Sequence, residues 1–162
     1  MKNKNALRKH FVAPWTSDDK KPSEDDYLPL AANIQSIEDD SDEDTEDSGF
    51  YDGDGSKETT INGRTEKWKV SGYNDPDDKA QALIAGMRRN TTDDGRKLWH
   101  KIVNVNGEID EGIAKAMDIK AGGGDATDYE AFECSLNFVS TPTVTPKDTT
   151  PAVTPKDATP AG

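Results

Sequence analysis

The stretch from Glu38 to Gly55 constrains this chain more than any other. It reads Glu-Asp-Asp-Ser-Asp-Glu-Asp-Thr-Glu-Asp-Ser-Gly-Phe-Tyr-Asp-Gly-Asp-Gly. So many carboxylates cannot enter an apolar interior, because each unpaired buried charge costs several kcal/mol. A core must therefore form from what flanks the tract. To its left lies a short apolar run, Leu28 to Ile37; to its right lie a β-rich run, Thr59 to Tyr73, and one clear helix. Phe50-Tyr51 is the only apolar interruption inside the tract. By composition, such a segment reads as a solvated loop, and a long loop is expected over 38–58.

The polarity extends beyond the tract. Of 162 residues, 31% are hydrophobic and 32% charged, too few apolar side chains for a compact domain that uses the whole chain. Length allows one domain. The net charge of -12 argues against a surface that grips nucleic acid, since a polyanion is repelled. The lone Cys134 excludes an intrachain disulfide and half a zinc ribbon; its place in an alternating run suggests a small buried hydrophobe. No signal-peptide core and no membrane-spanning run appear in the sequence. The expectation is a protein kept in a reducing cytoplasm, or leaving it by a route such as lysis.

Local patterns place the elements. Residues 1–26 read as an N-terminal arm, basic at Lys2, Lys4, Arg8 and Lys9, with Phe11, Ala13 and Trp15 alternating as a short strand or as a contact for a neighbour. Leu28, Leu30, Ala32 and Ile34 alternate as a half-buried strand, with Pro29 keeping its start off a central position. Trp68, Val70 and Gly72 share one strand face; Lys67, Lys69 and Tyr73 take the other. Asp75 suits a helix cap, Pro76 the first helical position, and Asp77 and Asp78 the positive end of the dipole. Ala80, Leu83, Ile84 and Met87 recur at helical spacing, so a helix is predicted over 76–89, packing Leu83, Ile84 and Met87 on a sheet.

Leu98 to Val105 is β-rich, and Asn106-Gly107 signals a hairpin. Ile113 to Ala121 fits strand or helix, with Gly122-Gly123-Gly124 after it favouring strand. Phe132, Cys134, Leu136 and Phe138 alternate cleanly with polar or small residues as a strand. From Thr141, a nine-residue repeat carries proline in every unit; proline lacks the donor a ladder needs. Residues 140–162 are therefore expected to be an extended Thr/Pro-rich tail, leaving 27–139 as the folded domain.

Catalytic chemistry is hard to find. His10 and His100 lie far apart and have no metal-ligand spacing with Cys134; His100 reads as a structural or surface residue. No nucleophile elbow, phosphate-binding loop or dinucleotide fingerprint is present. Asp52 to Glu58 invites a calcium reading, but Lys57 stands where an EF-hand loop needs glycine. The sequence therefore predicts no enzyme, no cofactor and no metal site.

The order of strand, acidic loop, strand, helix, strands and proline-rich tail resembles the major tail protein of long, non-contractile phage tails, in the group found on phages of Gram-positive bacteria. The carrying residues are Phe50-Tyr51-Asp52-Gly53-Asp54-Gly55, then Gly72 to Gln81, then Gly122-Gly123-Gly124-Asp125-Ala126 leading into Phe132 to Phe138. The resemblance implies a mainly β (α+β) fold, a β-sandwich or small barrel with one flanking α-helix. It implies hexameric rings of identical copies, stacked into a tube through which phage DNA passes without sequence-specific binding. Expected partners are further copies, a tape measure protein and tail-end proteins, with no membrane; expected location is the virion tail, assembled in the host cytoplasm. Subunit contacts are expected at Asp42, Glu43, Asp44, Phe50 and Tyr51 against Lys2, Lys4, Arg8, Lys9, Arg88 and Arg89 of a neighbour. The other reading of the residues is an acidic, calcium-dependent β-sandwich binding module on a Pro/Thr-rich stalk.

Overall fold

The structure, a computed structural model, describes residues 1–147. Ten strands and one helix follow in chain order: β1 (Lys9–Pro14), β2 (Leu28–Pro29), β3 (Ile34–Asp39), β4 (Asp42–Ser48), β5 (Glu58–Thr65), β6 (Lys67–Tyr73), α1 (Lys79–Ala85), β7 (Lys97–Val103), β8 (Ile109–Ala121), β9 (Ala131–Phe138) and β10 (Thr143–Thr145). Eight strands form one antiparallel sheet in the order β2-β1-β7-β8-β9-β6-β3, with β10 added to β8; β4 and β5 pair separately. The fold is mainly β with one helix, as the sequence predicts.

Connectivity curls the sheet. β2 and β3 sit at its opposite ends, yet only residues 30–33 join them. So short a link brings the two ends together, and the sheet becomes a half-barrel. The His10 ring of β1 then meets the Trp68 ring of β6 edge-on at 5.1 Å. The link turns at Asn33, which has φ 61°. There the backbone crosses β6 so closely that a Cβ at Gly72 would collide with the Asn33 carbonyl; only glycine fits.

The concave side holds the main core. Val12, Leu30, Val70, Leu98, Ile102, Phe132, Leu136 and Phe138 fill it, together with Ala80 and Ile84 of α1. The helix packs on β1, β2 and β8. The strict alternation in β9 matches its buried positions Phe132, Cys134, Leu136 and Phe138, because its other face meets solvent. β7 is buried along nearly its whole length, His100 and Lys101 included, because both its faces are covered. Leu98, His100 and Ile102 point to the main core, while Trp99 joins Ala13 and Tyr27 in a second cluster on the convex side.

Several local expectations are corrected. The 1–26 segment is not an arm throughout, since β1 lies between β2 and β7 with Val12 and Ala13 fully buried. Residues 15–27 then fold back so that Trp15 and Tyr27 cover the convex cluster. The alternation from Leu28 to Ile34 is not one strand but two strand ends joined through the left-handed Asn33. The predicted helix over 76–89 is shorter, Lys79–Ala85. Its cap is Asp78, whose carboxylate accepts from the Gln81 amide at 3.1 Å, whereas Asp75 serves a turn before it, accepting from the Asp77 amide at 3.1 Å.

The acidic segment 38–58 is likewise not a loop throughout. It contains the end of β3, all of β4 and the turn into β5. Backbone ladder bonds hold the β4–β5 hairpin, and these need no apolar side chain. Thr59 Oγ1 donates to Asp47 at 2.6 Å across the pair, and Lys67 holds Asp42 at 2.9 Å at its base. At the C-terminal end, Thr143, Val144 and Thr145 pair with Glu111, Asp110 and Ile109. The first repeat unit is thus partly a strand; the remainder of 140–162, from residue 148, lies outside the described residues.

Candidate assembly surface

Two surfaces stand out from this body. The first is the β4–β5 hairpin, in which every residue of β5 and all but Ser48 of β4 are exposed. A two-stranded hairpin alone is marginally stable in water, and this one has no core beneath it. Its tip carries Phe50, 62% exposed, and Tyr51, fully exposed, with Asp52 and Asp54 beside them. Asp54 accepts from the Ser56 amide at 2.8 Å, which shapes the turn and holds its carboxyl below the usual range.

Charge on the hairpin is only partly balanced within the chain. Lys67 contacts Asp42 at 2.9 Å, and Arg64 approaches Glu43 at 4.0 Å. Hydrogen bonding to Asp42 raises the Lys67 pKa, with the Asp42 charge adding to it. Asp44, Glu46, Asp52 and Asp54 have no ion-pair partner among the described residues. At about 10 Å screening length in 0.1 M salt, this row of carboxylates projects a negative field into solvent.

The second surface is the seam where the ends of the curled sheet face each other. A groove of about 310 Å³ runs between the N-terminal part of β1 and β3, walled by Pro29, Leu30, Ile34 and Ile37 among others, with Arg8 and Lys9 alongside. Arg8 donates to Asn104 Oδ1 at 3.1 Å and lies 5.6 Å over the Trp68 ring. Lys9 donates to the Ala6 carbonyl at 3.0 Å. Lys2 and Lys4 are exposed just before them in the chain.

The residues expected to act at contacts therefore fall into separate places. Asp42, Glu43, Asp44, Phe50 and Tyr51 share the hairpin; Arg8 and Lys9 share the seam. Arg88 and Arg89 are exposed beyond the end of α1 and do not line the seam. Ile84 is fully buried in the main core, while Leu83 and Met87 are half-buried against it.

The half-barrel also buries polar groups that no local pattern in the sequence marks. His10 Nδ1 and His100 Nε2 lie 3.2 Å apart, and His100 stacks on Phe138 with ring centroids 5.2 Å apart. Burial, and secondarily the Arg8 charge, pushes the His10 pKa down to about 4. Burial, then His10, lowers that of His100. On the convex side the Tyr27 hydroxyl donates to Glu111, which also binds Lys21 at 2.7 Å. Burial, then this bond, raises the Tyr27 pKa. Lys101 pairs with Glu24 at 3.0 Å and lies over the Tyr27 ring at 5.0 Å. The histidine pairing had no sequence signal, since 90 residues separate its members. Cys134 is a free buried thiol, its pKa pushed up to about 12 by burial. Among the described residues, no three His, Cys, Asp or Glu side chains converge as metal ligands.

No protein-family model and no curated protein matches the sequence. Solved structures do. The tail of an empty gene transfer agent particle, determined with helical refinement and C6 symmetry, matches with a TM-score of 0.65 at 12% identity, over 90% of this chain and 100% of that one. A chain of the native gene transfer agent virion matches with a TM-score of 0.61 at 11% identity, over 85% of this chain and 95% of that one. At such identities the likeness establishes the fold alone, a curled sheet with one packed helix like that of the gene transfer agent tail chain.

Proposed function

We propose that this protein is a structural subunit of a phage-type tail tube, with no catalytic role. The observation that carries the reading is the solvent-exposed acidic hairpin projecting from a tail-tube-like fold. A hairpin with no core of its own gains stability when a neighbour covers it. In this reading, identical copies form hexameric rings, and the rings stack into a conduit for genome DNA. The C6 symmetry of the gene transfer agent tail supports that arrangement.

The net negative charge suits a channel that lets phosphates pass without holding them. A tape measure protein and tail-end proteins would bound the tube, which would be assembled in the host cytoplasm and carried in the virion. The resemblance carried by Phe50–Gly55 and Gly72–Gln81 supports the long, non-contractile class from phages of Gram-positive bacteria.

Gel filtration and negative-stain microscopy across protein and salt concentration test the proposal. Rings or tubes are expected. A strict monomer at every concentration, also missing from purified tails, overturns it. Calorimetric titration with Ca²⁺ tests the binding-module reading at the same time; dissociation constants tighter than the millimolar range of weak extracellular modules would favour that module.

A further inference from the structure

We propose that the tip of the β4–β5 hairpin docks into the seam of a second copy of this chain, with Phe50 and Tyr51 in the groove and Asp52 and Asp54 against Arg8 and Lys9. The proposal rests on the tube-subunit reading and names the two surfaces that meet within it.

The seam has a reason to be covered. β3 ends the sheet, so one edge of it has no strand partner among the described residues, and β2 pairs β1 only at Phe11 and Val12. Unpaired edges over apolar side chains invite another chain. The groove, about 310 Å³ in volume, sits at the low end of the range for small-ligand clefts, roughly 300–1,000 Å³. It has room for a few side chains and none for a folded domain.

The hairpin tip fits this site in chemistry and in reach. Its aromatic pair has no apolar surface of its own to enter, and aromatic side chains are the usual anchors of an interface. Its unpaired carboxylates meet a rim carrying Arg8 and Lys9. At about 3.3 Å per residue, β4, seven residues long, separates the tip from the base of the hairpin by about 20 Å along the strand, which gives the tip its reach. The tip is exposed in its own chain, so it does not fill its own seam. Other segments of the chain fit less well. Residues 1–4 carry Lys2 and Lys4 and would be repelled by Arg8 and Lys9. Residues 141–162 carry prolines at 142, 146, 151, 155 and 160, which interrupt the row of donors an edge requires. Hairpin tip and seam are different surfaces, so the contact is head-to-tail. Such contacts build rings or filaments and not two-fold dimers.

Replacing Tyr51 with a photo-crosslinking benzoyl-phenylalanine in the full chain tests the docking. A heavy-isotope-labelled copy is mixed with an unlabelled one, assembled and irradiated. Crosslinked peptides are expected to join position 51 of one copy to residues 5–11 or 34–37 of another. Arg8→Glu with Lys9→Glu should raise the protein concentration needed for assembly at least about tenfold. Adding a copy with Asp52→Lys and Asp54→Lys should recover it, with both variants melting as the wild type does. Tubes whose crosslinks map elsewhere, or that form equally well with Phe50→Ser and Tyr51→Ser, overturn the docking and leave the tube reading standing. A wild-type chain that stays monomeric at every concentration and is also missing from purified tails overturns both.

Discussion

His10 and His100 place two titratable rings inside the half-barrel, with Trp68 edge-on to one and Phe138 stacked on the other. The folded His10 pKa, about 4, lies below its ordinary value of 6.5. Between those values the unfolded chain takes up a proton that the folded chain refuses, so stability rises with pH across the window. It is fully present above about pH 6.5 and is lost as pH falls toward 4. At 1.36 kcal/mol per pKa unit, His10 alone accounts for roughly 3 kcal/mol, and His100 acts in the same direction. Urea midpoints measured from pH 7 to 4 should fall steeply. In a His10→Gln, His100→Gln variant the slope over pH 6.5–5 should flatten; an unchanged slope would show that the pair does not titrate there. At the same scale, Ile84 is fully buried and Leu83 half-buried. Ile84→Ala should cost about 2–5 kcal/mol and Leu83→Ala clearly less, as read by thermal melting. Equal costs would mean that the helix seats differently on the sheet.

Among the elements, the hairpin and β10 make separable predictions. If the hairpin meets basic groups of a neighbour, tubes should dissociate as salt rises, since screening shortens below 10 Å beyond 0.1 M. A variant with Asp42→Asn, Glu43→Gln and Asp44→Asn should then assemble more weakly and respond less to salt. Asp42 and Glu43 also serve Lys67 and Arg64 of their own chain, so the melting of unassembled variant is the needed control. Equal assembly at every salt would exclude the charged contact; slowed DNA ejection through intact tubes would place the tract on the channel wall instead. For β10, truncation after Lys147 keeps the Thr143–Thr145 pairing with β8, so melting and tube width should match the full chain. Truncation after Val139 removes that pairing. Val144 is largely exposed, but Pro142 is buried beside Gly112, so the loss should be a few ladder bonds at about 1 kcal/mol each plus the burial of one proline. Tubes should still form. Their complete loss would give the segment a structural contact beyond β8.

Across the whole molecule, what the sequence determined is what a short window can encode. The alternation in Phe132–Phe138 follows from one buried and one wet face. The turn at Asn106-Gly107 rests on a residue at φ +93° that favours glycine. The helix stripe at Ala80, Leu83, Ile84 and Met87 follows from a repeat of 3.6 residues. The exclusion of the acidic tract from the core follows from the cost of burying charge. Tertiary structure alone decided the rest. β4 pairs with β5 with neither face buried, so the acidic β4 carries no period to find, although the run from Thr59 is already β-rich in composition. β1 reads as an arm until Lys97–Val103 arrives beside it from about ninety residues away. The histidine pair comes from the β1–β7 register, which sets His10 diagonally across from His100; the seam exists because residues 30–33 are too few to let the sheet lie open. Local sequence sets which face of an element is apolar; chain closure over long separations sets which elements meet, and that is where both surfaces proposed for assembly arise.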